Sequence, residues 1–124
     1  MCGRFTLTTP DIDTLASLVA AEIDPRLLAA YAPHYNIAPT QTTVLLRAVD
    51  ERRRLEPGVW GLTSPSGADR RPGGFINARA ETAANLPTFR DAFARGRCTV
   101  VCDGFFEWTG PKSQRRPLWF RRRD

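Results

Sequence analysis

The sequence predicts an α+β domain with a curved, mixed or mostly antiparallel β-sheet and two or three short helices. Three observations lead to this class. Short runs of β-branched and aromatic residues are bounded by Gly, Pro and Asp, as in strands and turns. Other segments place apolar residues at helical spacing. The length of 124 residues suits one small domain, and no repeat or linker divides residues 1–124.

The first third of the chain predicts a strand followed by one or two helices. Residues 3–7 form the strand, and Thr9-Pro10 is typical of a helix start, with Thr9 as N-cap and Pro10 at the first helical position. The helical spacing is carried by Ile12, Leu15, Ala16, Val19 and Ala20. Asp24-Pro25 either ends this helix or begins a second one. Residues 31–41, rich in proline, are expected to form a loop.

The rest of the chain predicts further strands around one helix. The strands are expected at residues 43–49 and 55–62, paired across a charged turn at 50–54, and at 98–102 (a buried strand), 105–108 and 117–120. Residues 64–74 favour a surface loop and 86–95 a helix. The chain ends four residues after a segment with the pattern of a central strand. We therefore expect a sheet that is incomplete at its C-terminus, through a truncated reading frame or a missing partner segment.

Composition limits the location and the partners of the chain. No apolar run approaches the roughly 20 residues of a membrane span, and the polar N-terminus does not resemble a signal peptide. Three cysteines, an odd number, favour a reducing compartment, so we expect a cytoplasmic protein without a membrane partner. The net charge of +5 favours polyanionic partners. The same arginine-rich composition is also typical of GC-rich genomes, and Lys112 is the only lysine.

Cys2 has the most distinctive chemistry in the chain. If Met1 is removed, Cys2 presents a thiol and a free α-amine on neighbouring carbons. The amine can condense with an aldehyde to an imine, and the thiol can then close a thiazolidine ring. Both groups titrate between about pH 7.7 and 8.5, so neither needs a large shift to act as a nucleophile. The alternative is that Cys2 is a small apolar residue near the start of a strand.

Five segments, in this order, resemble one family closely. They are residues 1–5 (Met-Cys-Gly-Arg-Phe), 35–41 (Tyr-Asn-Ile-Ala-Pro-Thr-Gln), 60–62 (Trp-Gly-Leu), 77–82 (Asn-Ala-Arg-Ala-Glu-Thr) and 98–108, which ends in Asp-Gly-Phe-Phe-Glu-Trp. The order and spacing resemble the SOS-response-associated peptidase family, whose members process abasic sites in DNA. The resemblance runs the length of this chain and covers about the N-terminal half to two-thirds of the family domain.

The resemblance implies a protein that traps ring-opened abasic sites in single-stranded DNA as a covalent thiazolidine crosslink. Cys2 would be the nucleophile, Glu107 the general acid and base, and Asn77 a group that orients the sugar or the amine. It also implies a self-processing, hydrolase-type peptidase that removes residues ahead of the cysteine, with possible lyase activity. No metal or organic cofactor is implied, and a monomer is expected. Taken singly, Glu107 could be an exposed strand carboxylate and Asn77 a turn residue.

Further residues match the family's DNA-contacting positions. The resemblance implies phosphate contacts for Arg4 and Arg79, because a guanidinium suits phosphate oxygens. In so arginine-rich a chain, both could instead be solvated surface residues. Pro39 and Thr40 are expected to line the DNA path. Stacking on bases is expected of Tyr35, Trp60 and Trp108. For Trp60, packing in the core is an equal alternative.

The chain also departs from the family pattern. The family's catalytic histidine lies in a later segment that this sequence lacks, and His34 matches nothing catalytic, so we expect slower crosslinking and impaired reversal. Residues 64–74 lack the tryptophans that family members carry there. Cys102 replaces a small residue, and its spacing from Cys98 predicts two buried residues rather than a metal site.

Two other functions remain compatible with the sequence. One is an inactive, truncated remnant that binds DNA weakly. The other is a peptidase or amidohydrolase that uses an N-terminal cysteine on substrates other than DNA. Repeated turnover without DNA would distinguish such an enzyme from a crosslinker, which is consumed once per lesion.

Overall fold

The computed structural model describes residues 3–63 and 74–122. Its strands are β1 (Arg4–Leu7), β2 (Glu22–Ile23), β3 (His34–Ile37), β4 (Thr42–Val49), β5 (Arg52–Val59), β6 (Thr99–Val100), β7 (Gly104–Thr109) and β8 (Arg116–Arg121). Its helices are α1 (Ile12–Val19), α2 (Pro25–Ala30), α3 (Ala80–Ala83) and α4 (Pro87–Arg95), with one 3₁₀ turn at Lys112–Gln114. The α+β class is therefore confirmed, with four α-helices in these ranges where the sequence predicts two or three.

The strands form two four-stranded sheets. The first has the order β3-β1-β7-β8, and its pairs are all antiparallel. The second has the order β2-β5-β4-β6, with one parallel pair between β2 and β5. The predicted mixed, mostly antiparallel pairing is thus present, and it is divided between two sheets.

The hydrophobic core lies between the two sheets and beneath the first two helices. It contains Phe5, Leu7, Ile12, Leu15, Ala16, Leu27, Ile37, Val44 and Leu55. Because successive residues of a strand point to opposite faces, Phe5 and Leu7 define the face of the first sheet that meets the second. We call this the inner face. The opposite, outer face carries Arg4 and Thr6.

The first two helices are capped by aspartates. Asp11 is the N-cap of α1, because its side chain accepts hydrogen bonds from the backbone N–H groups of Asp13 and Thr14. The predicted N-cap at Thr9 is therefore wrong by two residues: a carboxylate that accepts two backbone donors outcompetes the Thr9-Pro10 pattern. Asp24 caps α2, which confirms the second helix at Pro25.

Asp24 also holds a buried charge. It is 6% exposed, and the Arg26 side chain donates to both of its oxygens, at 3.0 and 2.8 Å. These bonds, together with that from the Arg26 backbone N–H, lower the pKa of Asp24 to about 2. Asp24 donates its own backbone N–H to the Leu55 carbonyl, which fixes the start of α2 against β5.

The β4–β5 hairpin has a tighter turn than the sequence predicts. Pairing runs without interruption from Thr42↔Val59 to Val49↔Arg52. Only Asp50 and Glu51 form the turn, both with positive φ, at 48° and 64°. Two such residues make a type I′ turn, whose twist matches that of the strands. The predicted turn at 50–54 was too long because residues 52–54 continue the ladder.

Two further expectations are corrected. The predicted loop at 31–41 contains β3, which forms because β1 pairs with it, at Phe5↔Ile37 and Leu7↔His34. The predicted buried strand at 98–102 is only the two residues of β6, and both Cys98 and Cys102 are exposed. Apart from Gly74, the predicted loop at 64–74 lies outside the described residues. In the described parts of the chain, no helix is long and apolar enough to cross a membrane.

Candidate functional site

Three strand ends meet at one edge of the first sheet. β1 begins at Arg4 and runs antiparallel to both neighbours, with Phe5 opposite Ile37 of β3 and Arg4 opposite Phe106 of β7. The start of β1 therefore lies beside the end of β3 and the later half of β7. We call this the site edge. It brings together five of the residues predicted from sequence: Arg4, Pro39, Thr40, Glu107 and Trp108.

Arg4 is held by a residue that sequence analysis did not single out. Its Nη1 donates to Oδ1 of Asn36 on β3 at 2.9 Å. Asn36 lies in the 35–41 motif, so the motif itself was the signal that could have identified it. The contact orients one edge of the guanidinium toward β3. The guanidinium of Arg4 is thereby held at the start of β1.

The site-edge residues are divided between the two faces of the sheet. Cross-strand partners share a face, so Arg4 and Phe106 lie on the outer face. Glu107, the next residue along β7, lies on the inner face and is half-buried, and Trp108 returns to the outer face with 39% exposure. Glu107 thus faces the space between the sheets, whereas Arg4 and Trp108 face outward.

Trp60 connects the segment containing Asn77 to the inner face. Its ring packs against Phe5 with centroids 5.1 Å apart, and its Nε1 donates to the Ile76 carbonyl at 3.3 Å. Asn77 follows Ile76 directly and is exposed. Trp60 is partly buried and packs against the hydrophobic core cluster, which supports the packing interpretation of this residue over base stacking.

The segment carrying Pro39 and Thr40 is fixed by backbone hydrogen bonds. The Thr40 N–H donates to the Trp60 carbonyl at 2.8 Å, and the Trp60 N–H donates to the Gln41 carbonyl at 3.0 Å. The Gln41 side chain accepts from the Ala38 N–H at 2.8 Å. Thr40 has a φ of 75°, an uncommon conformation for a β-branched residue. These hydrogen bonds therefore hold the turn in a defined conformation beside Trp60.

The remaining predicted DNA contacts are exposed. Tyr35 is 67% exposed on β3, which leaves its ring available for stacking. Arg79 occupies the N-cap position of α3, and its carbonyl accepts from the Thr82 and Ala83 N–H groups. Its side chain is exposed. In the sequence, Arg79 closely follows Ile76, whose carbonyl accepts the hydrogen bond from Trp60. Asn77 and Arg79 thus lie in one segment, which Trp60 connects to Thr40 of the site edge through its hydrogen bonds to Thr40 and Ile76.

His34 has a structural contact. Its Nδ1 accepts from the backbone N–H of Asn36 at 3.2 Å, within the strand that supports Arg4. Cys2, the predicted nucleophile, lies outside the described residues. Chain connectivity still limits its distance from Arg4, because two residues span at most about 7 Å.

Cys98 and Cys102 border an apolar cavity between the two sheets, of about 570 Å³. Its walls also include Phe5, Leu45, Trp60 and Phe105. Over residues 3–63 and 74–122, no group of three or more His, Cys, Asp or Glu side chains is arranged to hold a metal ion.

Comparison with known proteins gives a consistent result. The family model of the SOS response associated peptidase (SRAP) matches residues 1–124. Abasic site processing protein YedK of Escherichia coli (strain K12) is 37% identical over 128 residues, covering all of this chain and 55% of that protein. Abasic site processing protein YobE of Bacillus subtilis (strain 168) is 37% identical over 109 residues, covering 87% of this chain and 49% of that protein. The chain therefore spans about half the length of the relatives it matches.

Proposed function

Because this chain belongs to the SOS response associated peptidase family, we propose that it processes abasic sites in DNA by capturing them covalently. Cys2, exposed by removal of Met1, forms a thiazolidine with the ring-opened sugar of an abasic site in single-stranded DNA. The observation that carries the proposal is the site edge, where the strand that begins two residues after Cys2 lies directly beside the strand that carries Glu107.

The register supports the pairing of nucleophile and acid. Arg4 is opposite Phe106, so continuing the antiparallel register by one residue sets Gly3 opposite Glu107. Cys2 is the next residue, bonded directly to Gly3. The Glu107 carboxyl is therefore the described acidic group that β1 and β7 bring nearest to the start of the chain.

The proposed reaction consumes one aldehyde and releases one water. The Cys2 α-amine adds to the aldehyde carbon and gives a carbinolamine. The Glu107 carboxyl donates a proton to the departing hydroxyl, which leaves as water and generates the imine. The Cys2 thiolate then adds to the imine carbon, the nitrogen takes up a proton, and the five-membered ring closes. Asn77 orients the sugar or the amine on the inner-face side.

Charge and exposed rings support DNA as the partner. The net charge is +5, which favours a polyanionic partner, and Arg4 lies on the same outer face as Trp108. We propose that Arg4 and Arg79 bind phosphates, that Pro39 and Thr40 line the path of the strand, and that Trp108 stacks on a base. The same cysteine would also assist hydrolytic removal of Met1, which is the self-processing peptidase activity.

A denaturing gel tests the proposal. The purified chain is incubated with single-stranded DNA that contains one abasic site, and a heat-stable shifted band is expected. Cys2→Ala should abolish the band, and Glu107→Gln should slow its formation by about 10²–10⁴-fold, the usual contribution of general acid–base catalysis.

Matched controls separate this reaction from others. The double variant Cys98→Ala/Cys102→Ala removes the two exposed internal thiols and should crosslink like the unmodified chain. Intact DNA without an abasic site should give no band. A band that survives Cys2→Ala but is lost from the double variant would refute the proposed nucleophile. Folded protein lacking Met1 that gives no band at all would refute covalent capture.

A further inference from the structure

Asp103 binds the end of β1 with both carboxylate oxygens. The Thr6 hydroxyl donates to Oδ1 at 2.6 Å, and the Thr8 hydroxyl donates to Oδ2 at 2.6 Å. The Thr8 backbone N–H also donates to Oδ2, at 2.5 Å. In addition, the Asp103 N–H donates to the Thr6 carbonyl at 3.0 Å. Four hydrogen bonds therefore connect the residue that precedes β7 to one end of β1. We call Asp103, Thr6 and Thr8 the Asp103 cluster.

The cluster is packed tightly against its surroundings. Thr6 is 2% exposed, and the Trp119 Nε1 of β8 donates to its hydroxyl at 3.3 Å. Gly104, opposite Thr6, has no room for a side chain, since a Cβ there would come within 2.4 Å of Trp119 Nε1 and 2.9 Å of Thr6 Oγ1. β1, β7 and β8 are thus connected at one point through these side chains.

The negative charge of Asp103 strengthens its hydrogen bonds to Thr6 and Thr8. Burial alone would raise the pKa of its carboxyl, but the hydrogen bonds from Thr6 and Thr8 outweigh burial and hold that pKa below its ordinary value. The carboxylate is therefore ionised at neutral pH and acts only as an acceptor. Its contacts with the two hydroxyls and the Thr8 N–H are charge-assisted, and such hydrogen bonds are about twice as strong as neutral ones.

Few backbone pairs among the described residues fix the position of β1 along β7. The β1–β7 ladder contains three residue pairs, and the β1–β3 register is irregular between Phe5 and Leu7. A slip of two residues would keep Phe5 and Leu7 on the inner face, so burial alone does not exclude it. It would, however, break the Asp103 contacts to Thr6 and Thr8.

The cluster lies only a few residues from both proposed reacting groups. Thr6 pairs with Gly104, and Glu107 lies three residues after Gly104 on β7. Cys2 precedes Thr6 by four residues, and β1 traced back from Thr6 runs alongside β7 from Gly104 toward Glu107, because the two strands are antiparallel. Any movement of β1 relative to β7 would therefore displace the nucleophile from the acid directly.

We propose that Asp103 is a positioning residue for the crosslinking reaction: it fixes β1 lengthwise against β7 and so sets Cys2 beside Glu107, without contacting DNA itself. This inference rests on the proposed function. A displacement of about 1 Å at a reacting group can cost on the order of 100-fold in rate, so the predicted effect is large although Asp103 is remote from the reaction.

The test separates crosslinking rate from DNA binding and from thiol reactivity. Asp103→Asn keeps the shape of the side chain but replaces one accepting oxygen with an NH₂ group that faces donors. At saturating DNA, its crosslinking rate constant should fall by about 10- to 100-fold. Its affinity for DNA containing an unreactive abasic-site analogue should stay unchanged. So should the rate at which its N-terminal cysteine forms a thiazolidine with free glyoxylate, which needs no alignment with Glu107.

Two variants accompany Asp103→Asn. Asp91→Asn removes an exposed carboxylate on α4 whose ion pairs with Arg90 and Arg95 are long, at 3.7 and 3.8 Å, and should react like the unmodified chain. Thr8→Val removes one hydroxyl of the cluster while keeping the backbone donor, and should give a smaller fall in rate. Because Thr8→Val keeps the carboxylate, it tests the proposal even if Asp103→Asn does not fold.

Two results would overturn the inference. One is an unchanged crosslinking rate in folded Asp103→Asn. The other is a loss of rate matched by an equal loss of DNA affinity or of glyoxylate reactivity. If the unmodified chain forms no crosslink, the proposed function fails, and amide hydrogen exchange of β1 then tests the cluster by itself. Faster exchange at Arg4 and Phe5 in Asp103→Asn would support it, and unchanged exchange would refute it.

Discussion

The β4–β5 hairpin and the site edge are built in opposite ways. The hairpin pairs eight consecutive residues of β4 with β5 across a two-residue turn. The site edge pairs β1 with strands roughly 30 and 100 positions away, through few residue pairs. The hairpin is thus specified by neighbouring sequence, whereas the site edge depends on long-range polar contacts such as Arg4–Asn36 and the Asp103 cluster.

This difference separates stability from function. The hairpin supplies Val44 and Leu55 to the core and carries a part-buried ion pair between Arg47 and Glu56, at 3.0 Å. The site edge carries the proposed DNA-binding and reacting groups, and a few hydrogen bonds hold its strands in register. We therefore expect hairpin substitutions to change the free energy of unfolding. Site-edge substitutions should mainly change the reaction rate.

The largest effect on stability is expected at Leu55. This side chain is fully buried, at 0% exposure, so Leu55→Ala should lower the free energy of unfolding by about 2–5 kcal/mol. Denaturant unfolding monitored by far-UV circular dichroism measures the change. Leu18→Ala is the control, since Leu18 is 82% exposed and should change stability by no more than about 0.5 kcal/mol. Equal effects of the two substitutions would contradict the assignment of the core.

A smaller, pH-dependent effect is expected at Asp24. Its pKa in the fold, about 2, lies below the value near 3.9 of an unfolded aspartate. Ionised Asp24 therefore stabilises the fold above about pH 4, and this contribution disappears as the pH falls toward 2. Asp24→Asn should melt below the unmodified chain at pH 7, and the two melting temperatures should converge at acidic pH. A difference that stays constant down to pH 2 would show that the charge is not responsible.

The smallest effect is expected at the hairpin turn. Glu51 has a φ of 64°, which costs a residue with a side chain more than it costs glycine. Glu51→Gly should therefore raise the free energy of unfolding by about 0.5–1 kcal/mol, after the entropic cost of glycine is subtracted. Glu51→Ala keeps the strained φ and should give no such gain. The crosslinking rate of Glu51→Gly should be unchanged, and a parallel change in rate would contradict the separation of the two regions.

The sequence predicts the local elements better than the long-range ones. Helical spacing identified the buried residues of α1, and the start of α2 at Asp24-Pro25 was one of the two alternatives that the sequence left open there. β3 was missed because its pairing partner, β1, lies about 30 residues earlier. Burial of Cys98 and Cys102 was predicted from apolar composition alone, and that composition does not say that both cysteines border an open cavity.

The candidate site was predicted unevenly for a similar reason. Motif resemblance identified Arg4 and Glu107, which the fold brings to adjacent strands. The resemblance did not show that Arg4 and Glu107 lie on opposite faces of the sheet, because the face on which a side chain lies depends on the register of the strands. Nor did it indicate a role for Asp103, although this residue lies within a matched motif. Its importance comes from contacts with Thr6 and Thr8, which are more than 90 positions away in the sequence.

The most direct test of the central claim is the mass of the crosslinked product. The chain is reacted with a short single-stranded oligonucleotide that contains one abasic site, and the adduct is analysed intact and after proteolysis. The predicted mass is that of the chain without Met1 plus the oligonucleotide minus one water, with the modification confined to Cys2. An adduct at any other residue, an adduct on a chain that retains Met1, or no adduct from the folded chain would contradict the account.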